Sequence, residues 1–386
     1  MSAGRVPRGV FWASVGFVGY AYAGFPLLLA ARAACAPRPV RRSPITPRVS
    51  LIIAAHNEAE VIATKLTNLA ALDYPQGLLE VIVASDGSND GTVEIASSHP
   101  SAPLVLALPR QGKNATLNAA VTAASGEVLV FSDADAMLEP GALRALVEPL
   151  ADDEVGGVAG DFRYRRASDG RGERGYWNVD RLTKRLQTRA GSVTSATGQL
   201  HAIRRELWQP IPSGVADDSF TSVTVAEAHR RLVFEPLAVA VGDVEVAVEA
   251  ELRRKSRYIA RGLRSLWLHR RALNPMTHGW YAVQLASHKL VRRLAAVPIV
   301  VLAVVTPALW RSGRTYRAAA VLQAAIHATA GAGWLMKDRN GRLRPFWRIA
   351  AVATYFDLVN LAVLRALLEL ASGRRRDVWT PGRRMS

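Results

Sequence analysis

An α/β fold with a mostly parallel sheet, attached to transmembrane helices, is what this sequence predicts. Three observations lead there. Short apolar runs alternate with helical patterns from Val49 to Ser132. Carboxylates recur just after or beside such runs, at Asn57-Glu58, Asp86-Gly87-Ser88, Asp133-Ala134-Asp135 and Asp217-Asp218. Long apolar stretches flank this region on both sides.

Val49 to Ala55 is continuously apolar and reads as a buried strand. Glu58 to Leu72 follows with Val61, Ile62, Leu66, Leu69 and Leu72 at helical spacing. Leu79 to Ala84 is a second strand, and Asp90 is placed to cap a helix running to Ser97. Leu104 to Leu108 and Glu127 to Ser132 are the third and fourth strands, separated by a helix over Lys113 to Ala124. Alternation of this kind builds parallel strands through right-handed crossovers, with helices on both faces. Ligands of such sheets lie outside the carboxyl ends of the strands. Asn57, Glu58, Asp86 and Asp133 all fall there.

Beyond Pro140 the pattern is mixed. Strands are expected at Val155 to Phe162, Leu232 to Glu235 and Leu237 to Val241. Helices are expected at Tyr176 to Arg189 and Ser219 to His229, and a long basic one at Val246 to Leu273.

Four apolar stretches are of membrane-spanning length or near it: Phe11 to Ala33, Leu294 to Trp310, Tyr316 to Met336 and Ile349 to Ala371. The expected organisation is an N-terminal anchor (1–33), a Pro- and Arg-rich linker (34–48) and a catalytic domain (49–273). A membrane-interface segment (274–293), two or three spans (294–372) and a basic tail (373–386) complete it. Arg5 and Arg8 precede the first stretch as in a signal peptide, but the stretch exceeds a signal core, so an uncleaved anchor is expected. The net charge of +17 is mostly Arg, and part of it tracks the edges of the apolar stretches, as at Arg32, Arg38, Arg41, Arg42, Arg292 and Arg293. That favours membrane lipids over nucleic acid as the partner of this charge. It places the domain on the cytoplasmic face of a cell membrane crossed more than once. The basic tail then opposes three complete C-terminal spans. The single Cys35 excludes an internal disulfide.

Asp133 and Asp135 leave a strand as alternate residues and can address one ion. Mg2+ or Mn2+ takes oxygen ligands, a few from protein and the rest from phosphate and water. The Asp86 carboxylate can accept hydrogen bonds from a nucleotide base or ribose, and Gly87 lets backbone approach a ligand. Asp217-Asp218 at a helix start reads as a general base rigidly held, since one carboxylate suffices for a cap. Arg254, Lys255, Arg257 and Arg261 lie on the long basic helix. They serve either to neutralise a leaving diphosphate or to lie along a membrane surface.

These residues resemble the membrane-bound family 2 glycosyltransferases, in the cellulose-synthase-like branch of the GT-A fold. The resemblance runs from about Val49 to Leu294. It rests on Leu51-Ile52-Ile53-Ala54-Ala55-His56-Asn57-Glu58, Val83-Ala84-Ser85-Asp86-Gly87-Ser88, Gly112-Lys113 and Ser132-Asp133-Ala134-Asp135. It continues through Thr197-Gly198, Asp217-Asp218, Phe234-Glu235-Pro236 and Ser287-His288-Lys289. The resemblance implies an inverting transferase that moves a sugar from a nucleotide diphosphate, with uridine expected, to a polysaccharide or lipid-linked acceptor. Asp218 is implied as the base and Asp86 as a nucleotide contact. Asp133 and Asp135 are implied as metal ligands, Lys113 as a donor-pocket residue and Gly198 as the border of the acceptor site. One departure stands out. The Gln-x-x-Arg-Trp signature of processive synthases is absent, and Lys255, Tyr258 and Ile259 stand in its register. Two other readings compete: a nucleotide-sugar-binding protein without turnover, and a transporter, which the lack of an inverted repeat disfavours.

Overall fold

The computed structural model describes residues 5–164, 171–242, 248–335 and 345–372. The basic tail expected at 373–386 lies outside them, as does the expected start of the long basic helix at Val246.

Among the described residues, eight strands form one sheet: β1 (Val49–Ala55), β2 (Leu79–Asp86), β3 (Leu104–Leu108), β4 (Val128–Ser132), β5 (Met137–Leu138), β6 (Val155–Tyr164), β7 (Leu200–Arg204) and β8 (Arg231–Gly242). Their order is β3-β2-β1-β4-β7-β6-β8-β5. β1 pairs in parallel with β2 and β4, β2 with β3, and β6 with β8. β7 runs antiparallel to both β4 and β6, and β5 antiparallel to β8.

The first four strands form where the apolar runs predict them. A run buried on both faces needs no alternation, and β1 and β4 are buried at every position. β7 was not expected. Its residues, Leu200-His201-Ala202-Ile203-Arg204, include two polar side chains, and His201 is nonetheless only 2% exposed. The two short strands expected within 232–241 are one strand, β8. Pro236 falls where the β6–β8 register shifts, between Ala159/Asp161, and a shift of this kind is where a strand tolerates proline.

Helices cover both faces. Ala59–Ala70 seats Ile62, Leu66 and Leu69 in one core with Leu51, Ile53, Val83 and Val130. Lys113–Ala123 and Asp217–Glu227 seat Leu117, Ala120, Val121, Phe220 and Val225 in the other, against Ile52, Ile82 and Leu129. Each fully buried Leu or Ile of this kind contributes about 1.5–3 kcal/mol, so the sheet is a stiff platform for what projects from its edge.

Among the described residues, three helices are long and apolar enough to cross a membrane: Arg5–Cys35, Arg314–Leu335 and Ile349–Ala371. The stretch Leu294 to Trp310 behaves differently. Its helix, Ala296–Ala308, has 13 residues. At 1.5 Å per residue that is about 20 Å, short of a hydrocarbon core of about 30 Å. It reaches span length only together with Pro275–Leu294, from which it is bent by 40°. The N-terminal helix packs on this group: Phe11 buries against Leu302 and Leu309, and Tyr20 hydrogen-bonds the Ser287 hydroxyl at 2.7 Å.

Candidate active site

The carboxyl edge of the parallel strands gathers most of the residues singled out above. Asn57 and Glu58 follow β1, Asp86 ends β2 and Asp133 follows β4. β7 begins at this same edge because Leu200 pairs with Ser132. Its antiparallel direction brings Gly198 there. The Asp217–Glu227 helix starts at this edge too.

Lys113 joins the pieces. Its Nζ lies 3.0 Å from Asp133 Oδ1 and 3.1 Å from Asp217 Oδ2. Burial disfavours its charge, but the two carboxylates more than compensate, and its pKa is raised. The two adjacent aspartates are pulled apart. Burial would raise Asp217, yet Lys113 and His201 overcome it and hold Asp217 below the ordinary carboxylate range. Asp218 goes the other way: burial, then the charge of Asp217, raises its pKa. The two adjacent carboxylates thus carry opposed shifts.

Asp218 is 4% exposed. Its Oδ1 accepts from the Ser219 backbone N–H at 2.7 Å, and its Oδ2 accepts from the Tyr258 hydroxyl at 2.9 Å. A Cβ placed on Gly198 would lie 3.9 Å from Asp218 Oδ2, so this glycine lies beside Asp218. His201 stacks on Phe131 at 4.9 Å, and burial lowers its pKa against the pull of Asp217 and Asp218.

Asp86 is placed differently from a free nucleotide acceptor. It is 1% exposed, and Oδ1 accepts from the N–H groups of Gln111 (2.7 Å) and Gly112 (2.8 Å). Oδ2 faces Arg110 at 3.3 Å. Asp86 thus shapes the turn that delivers Lys113. Gly87 beside it has φ +63° and lies so close to Arg110 that a Cβ would come within 2.9 Å of the Arg110 nitrogen. Asn57, itself at φ 56°, is tied to the same loop: its Oδ1 accepts from Asn89 N–H at 3.0 Å. The Glu58 N–H donates to Thr92 Oγ1 at 2.9 Å. Asp90 accepts from Thr92 and Ala59 N–H, at 3.1 and 3.0 Å, so it serves two helices at once.

Asp133 is about one-third exposed and Asp135 is exposed, both on the β4–β5 turn. Among the described residues no group of three or more His, Cys, Asp or Glu is arranged to hold a metal. Two hard carboxylates on an open turn nonetheless fit a cation that draws its other ligands from phosphate and water. Beneath the turn, Lys65 is fully buried and donates to Ser132 Oγ (2.7 Å) and to the Ala136 carbonyl. Burial lowers its pKa to about 7, against the pull of Asp133 and Asp135.

Of the four cations expected on the long helix, found at Val248–Leu268, Arg261 reaches this edge. It donates to the Val215 carbonyl at 3.0 Å and faces Asn114 Oδ1 at 3.4 Å. Arg257 sits half-buried one residue before Tyr258, and Lys255 lies over the Tyr355 ring of the last helix at 5.0 Å. Sequence reading missed Lys65, His201 and the contact of Tyr258 with Asp218. A lysine on the apolar face of the 59–70 helix was the available signal for the first. The position of Tyr258 in the register of the missing signature was the signal for the last.

A curled, mostly parallel sheet with carboxylates converging at its carboxyl edge defines a GT-A nucleotide-sugar transferase fold. Residues 50–210 match the model of the family described as Glycosyl transferase family 2, so this part of the chain is a family 2 glycosyltransferase domain. It is similar to "Probable glycosyltransferase YdaM" of Bacillus subtilis, 29% identical over 210 residues, 50% of either chain. It is 26% identical over 195 residues to the poly-beta-1,6-N-acetyl-D-glucosamine synthase of Staphylococcus epidermidis, 48% of this chain and 46% of the relative. The chain spans about half the length of these curated relatives. Among solved structures, the mannosyltransferase PcManGT from Pyrobaculum calidifontis, in complex with GDP-Man and Mn2+, superposes with TM-score 0.72 at 25% identity. That match covers 95% of this chain and 100% of the other.

Proposed function

We propose that the protein transfers a sugar, with inversion, from a nucleotide diphosphate sugar to a hydroxyl of a polysaccharide or lipid-linked acceptor at a cell membrane. The observation that carries this is the arrangement of Lys113 between Asp133 and Asp217, with Asp218 beside them and oppositely tuned.

The reaction needs a proton removed from the acceptor hydroxyl as its oxygen attacks the anomeric carbon. Asp218 is the base: buried, held at a helix start and raised in pKa, it is a better proton acceptor than an ordinary carboxylate. As the new bond forms, the bond from the anomeric carbon to the donor's phosphate oxygen breaks, and its electron pair leaves with the nucleoside diphosphate. Lys113 is positioned to meet that charge. Asp133 and Asp135 would hold a divalent cation, which when bound offsets the charge of the diphosphate. Mn2+ in the complex of the mannosyltransferase neighbour supports this assignment. That neighbour's guanosine donor and the N-acetylglucosamine polymer named for a relative leave the sugar and the nucleotide base to experiment. The three apolar helices, with the Arg residues beside them, support a multi-pass protein whose domain faces the cytoplasm.

The test is full-length protein in membranes, incubated with radiolabelled UDP- and GDP-sugars and Mn2+ or Mg2+. Transfer from one donor, lost on chelation and in Asp218→Asn, is the expected result. Donor binding with wild-type turnover in Asp218→Asn overturns the assignment of the base.

A further inference from the structure

Near Asp218 lies an excess of positive charge that the reaction above does not use. Lys289 lies within electrostatic range of Asp218, Arg293, Asp180 and Lys184. His288 next to it faces Lys289, Arg292, Arg293 and Lys184. Four cations therefore surround this spot, against two carboxylates, Asp180 and Asp218. Lys184 is committed: its Nζ is 3.1 Å from Asp180 and donates to Thr197 Oγ1 at 2.9 Å. Lys289 has no hydrogen bond or ion pair among the described residues.

Lys289 and Arg293 line a cavity of about 10 Å3 together with Thr194, Ser219 and Ser265. Its size suits about one oxygen atom. Ser265 is 1% exposed, and its hydroxyl, which lines the cavity, has no hydrogen-bond partner among the described residues. A half-buried ammonium without a partner and a buried hydroxyl without one, at the same place, are both unfavourable unless an acceptor oxygen comes between them.

The position is as telling as the charge. Lys289 sits on the π-helical turn Ala286–Val291, a distortion often found at functional sites. Arg292 and Arg293 follow and lead directly into the apolar helix Ala296–Ala308. Ser287 on the same turn is bonded to Tyr20 of the N-terminal apolar helix. The cluster thus stands where the apolar helices meet the base.

The geometry points to a binding site for a phosphate group carried by a lipid, held by Lys289 and Arg293, whose sugar presents its hydroxyl to Asp218. This rests on the reading of Asp218 as the base, and it names the acceptor as a lipid-phosphate-linked sugar. The phosphate is a handle and the hydroxyl is the nucleophile, since a phosphate oxygen would need no base. The guanidinium of Arg293 and the point charge of Lys289 are the residue types that bind phosphate.

The test is direct binding to detergent-solubilised full-length protein, with polyprenyl phosphate, polyprenol and inorganic phosphate as probes, and UDP and GDP with Mn2+ as separate probes of the donor pocket. Polyprenyl phosphate is expected to bind, polyprenol to bind at least about tenfold more weakly, and Lys289→Gln to lose about tenfold for polyprenyl phosphate. Lys289→Arg should restore most of that loss, and Lys289→Gln should shift nucleotide affinity less than twofold. Equal binding of polyprenol overturns the site. So does a loss in Lys289→Gln that falls on the nucleotide instead, which would make the cluster part of the donor pocket. Inorganic phosphate binding as tightly as the lipid overturns the lipid source. Failure of the wild-type protein to bind either nucleotide would count against the donor reading of the preceding section, and it is read separately.

Discussion

Replacing Tyr258 by Phe removes one hydroxyl and tests the tuning of Asp218, the proposed base. That hydroxyl donates to Asp218 Oδ2 at 2.9 Å, and Asp218 is 4% exposed, so the bond forms in a largely dry site. A hydrogen bond to a charged group contributes about 1.5–3 kcal/mol, and one pKa unit corresponds to about 1.4 kcal/mol. The bond favours the ionised carboxylate, so its loss raises the pKa of Asp218 by about one to two units. The Tyr258 ring is 40% exposed. Water can therefore enter after truncation and replace part of the bond, and the lower figure, about one unit, is expected. Burial and the charge of Asp218 raise the pKa of Tyr258 itself, so the phenol does not titrate in the working range. A base with raised pKa becomes protonated at higher pH. The acidic limb of kcat/KM against pH should move upward by about one unit in Tyr258→Phe, with activity lost below the limb and a plateau preserved within a few fold. The assay is initial-rate sugar transfer by the purified full-length protein. An unmoved acidic limb would refute the claim that Tyr258 tunes Asp218.

Other outcomes follow from the same geometry. Asp218→Asn should lower kcat by about 10²–10⁴-fold while leaving donor affinity near wild type, measured by nucleotide binding alongside turnover. Lys113→Met leaves Asp133 and Asp217 without their shared cation; nucleotide diphosphate affinity and kcat should both fall by about tenfold or more, and Lys113→Arg should recover part of each. Asp133→Asn and Asp135→Asn should each weaken Mn2+ binding in the presence of nucleoside diphosphate, read by electron paramagnetic resonance. Gly87→Ala combines positive φ with a backbone contact under 3 Å; it should cost about 1–2 kcal/mol or more and lower the thermal midpoint of the purified protein by a few degrees.

The strands β1 and β4 were legible because they are buried at every position, and β2 and the partly exposed edge strand β3 because they too are apolar runs with turn residues between them. β7 was hidden for the opposite reason. His201 and Arg204 make it look polar, and its burial depends on neighbours distant in sequence: His201 stacks on Phe131, and Arg204 donates to the Leu150 carbonyl at 2.6 Å. The carboxylates were visible from their places after strands. Their opposed tuning was not, because Asp217 is lowered by Lys113, which the sequence separates from it by the whole of β4 to β7, and Asp218 is raised by burial and by Asp217. The contacts of Asp86 within the protein were not legible from residue type. A carboxylate in a loop looks available to a ligand, yet here the N–H groups of Gln111 and Gly112 take up one of its oxygens. The expected span over Leu294 to Trp310 had the hydropathy of a membrane helix. Its helical length is decided instead by the breaks on either side, at Ala295 and around Trp310.

The convergence of distant carboxylates on one substrate is the central claim, and the anomalous scattering of Mn2+ in crystals grown with a nucleoside diphosphate tests it most directly. A single Mn2+ peak between Asp133 and Asp135, with the diphosphate beside Lys113 and the cleft open toward Asp218, is the predicted result. A peak elsewhere on the protein, or a diphosphate bound away from Lys113, would contradict it.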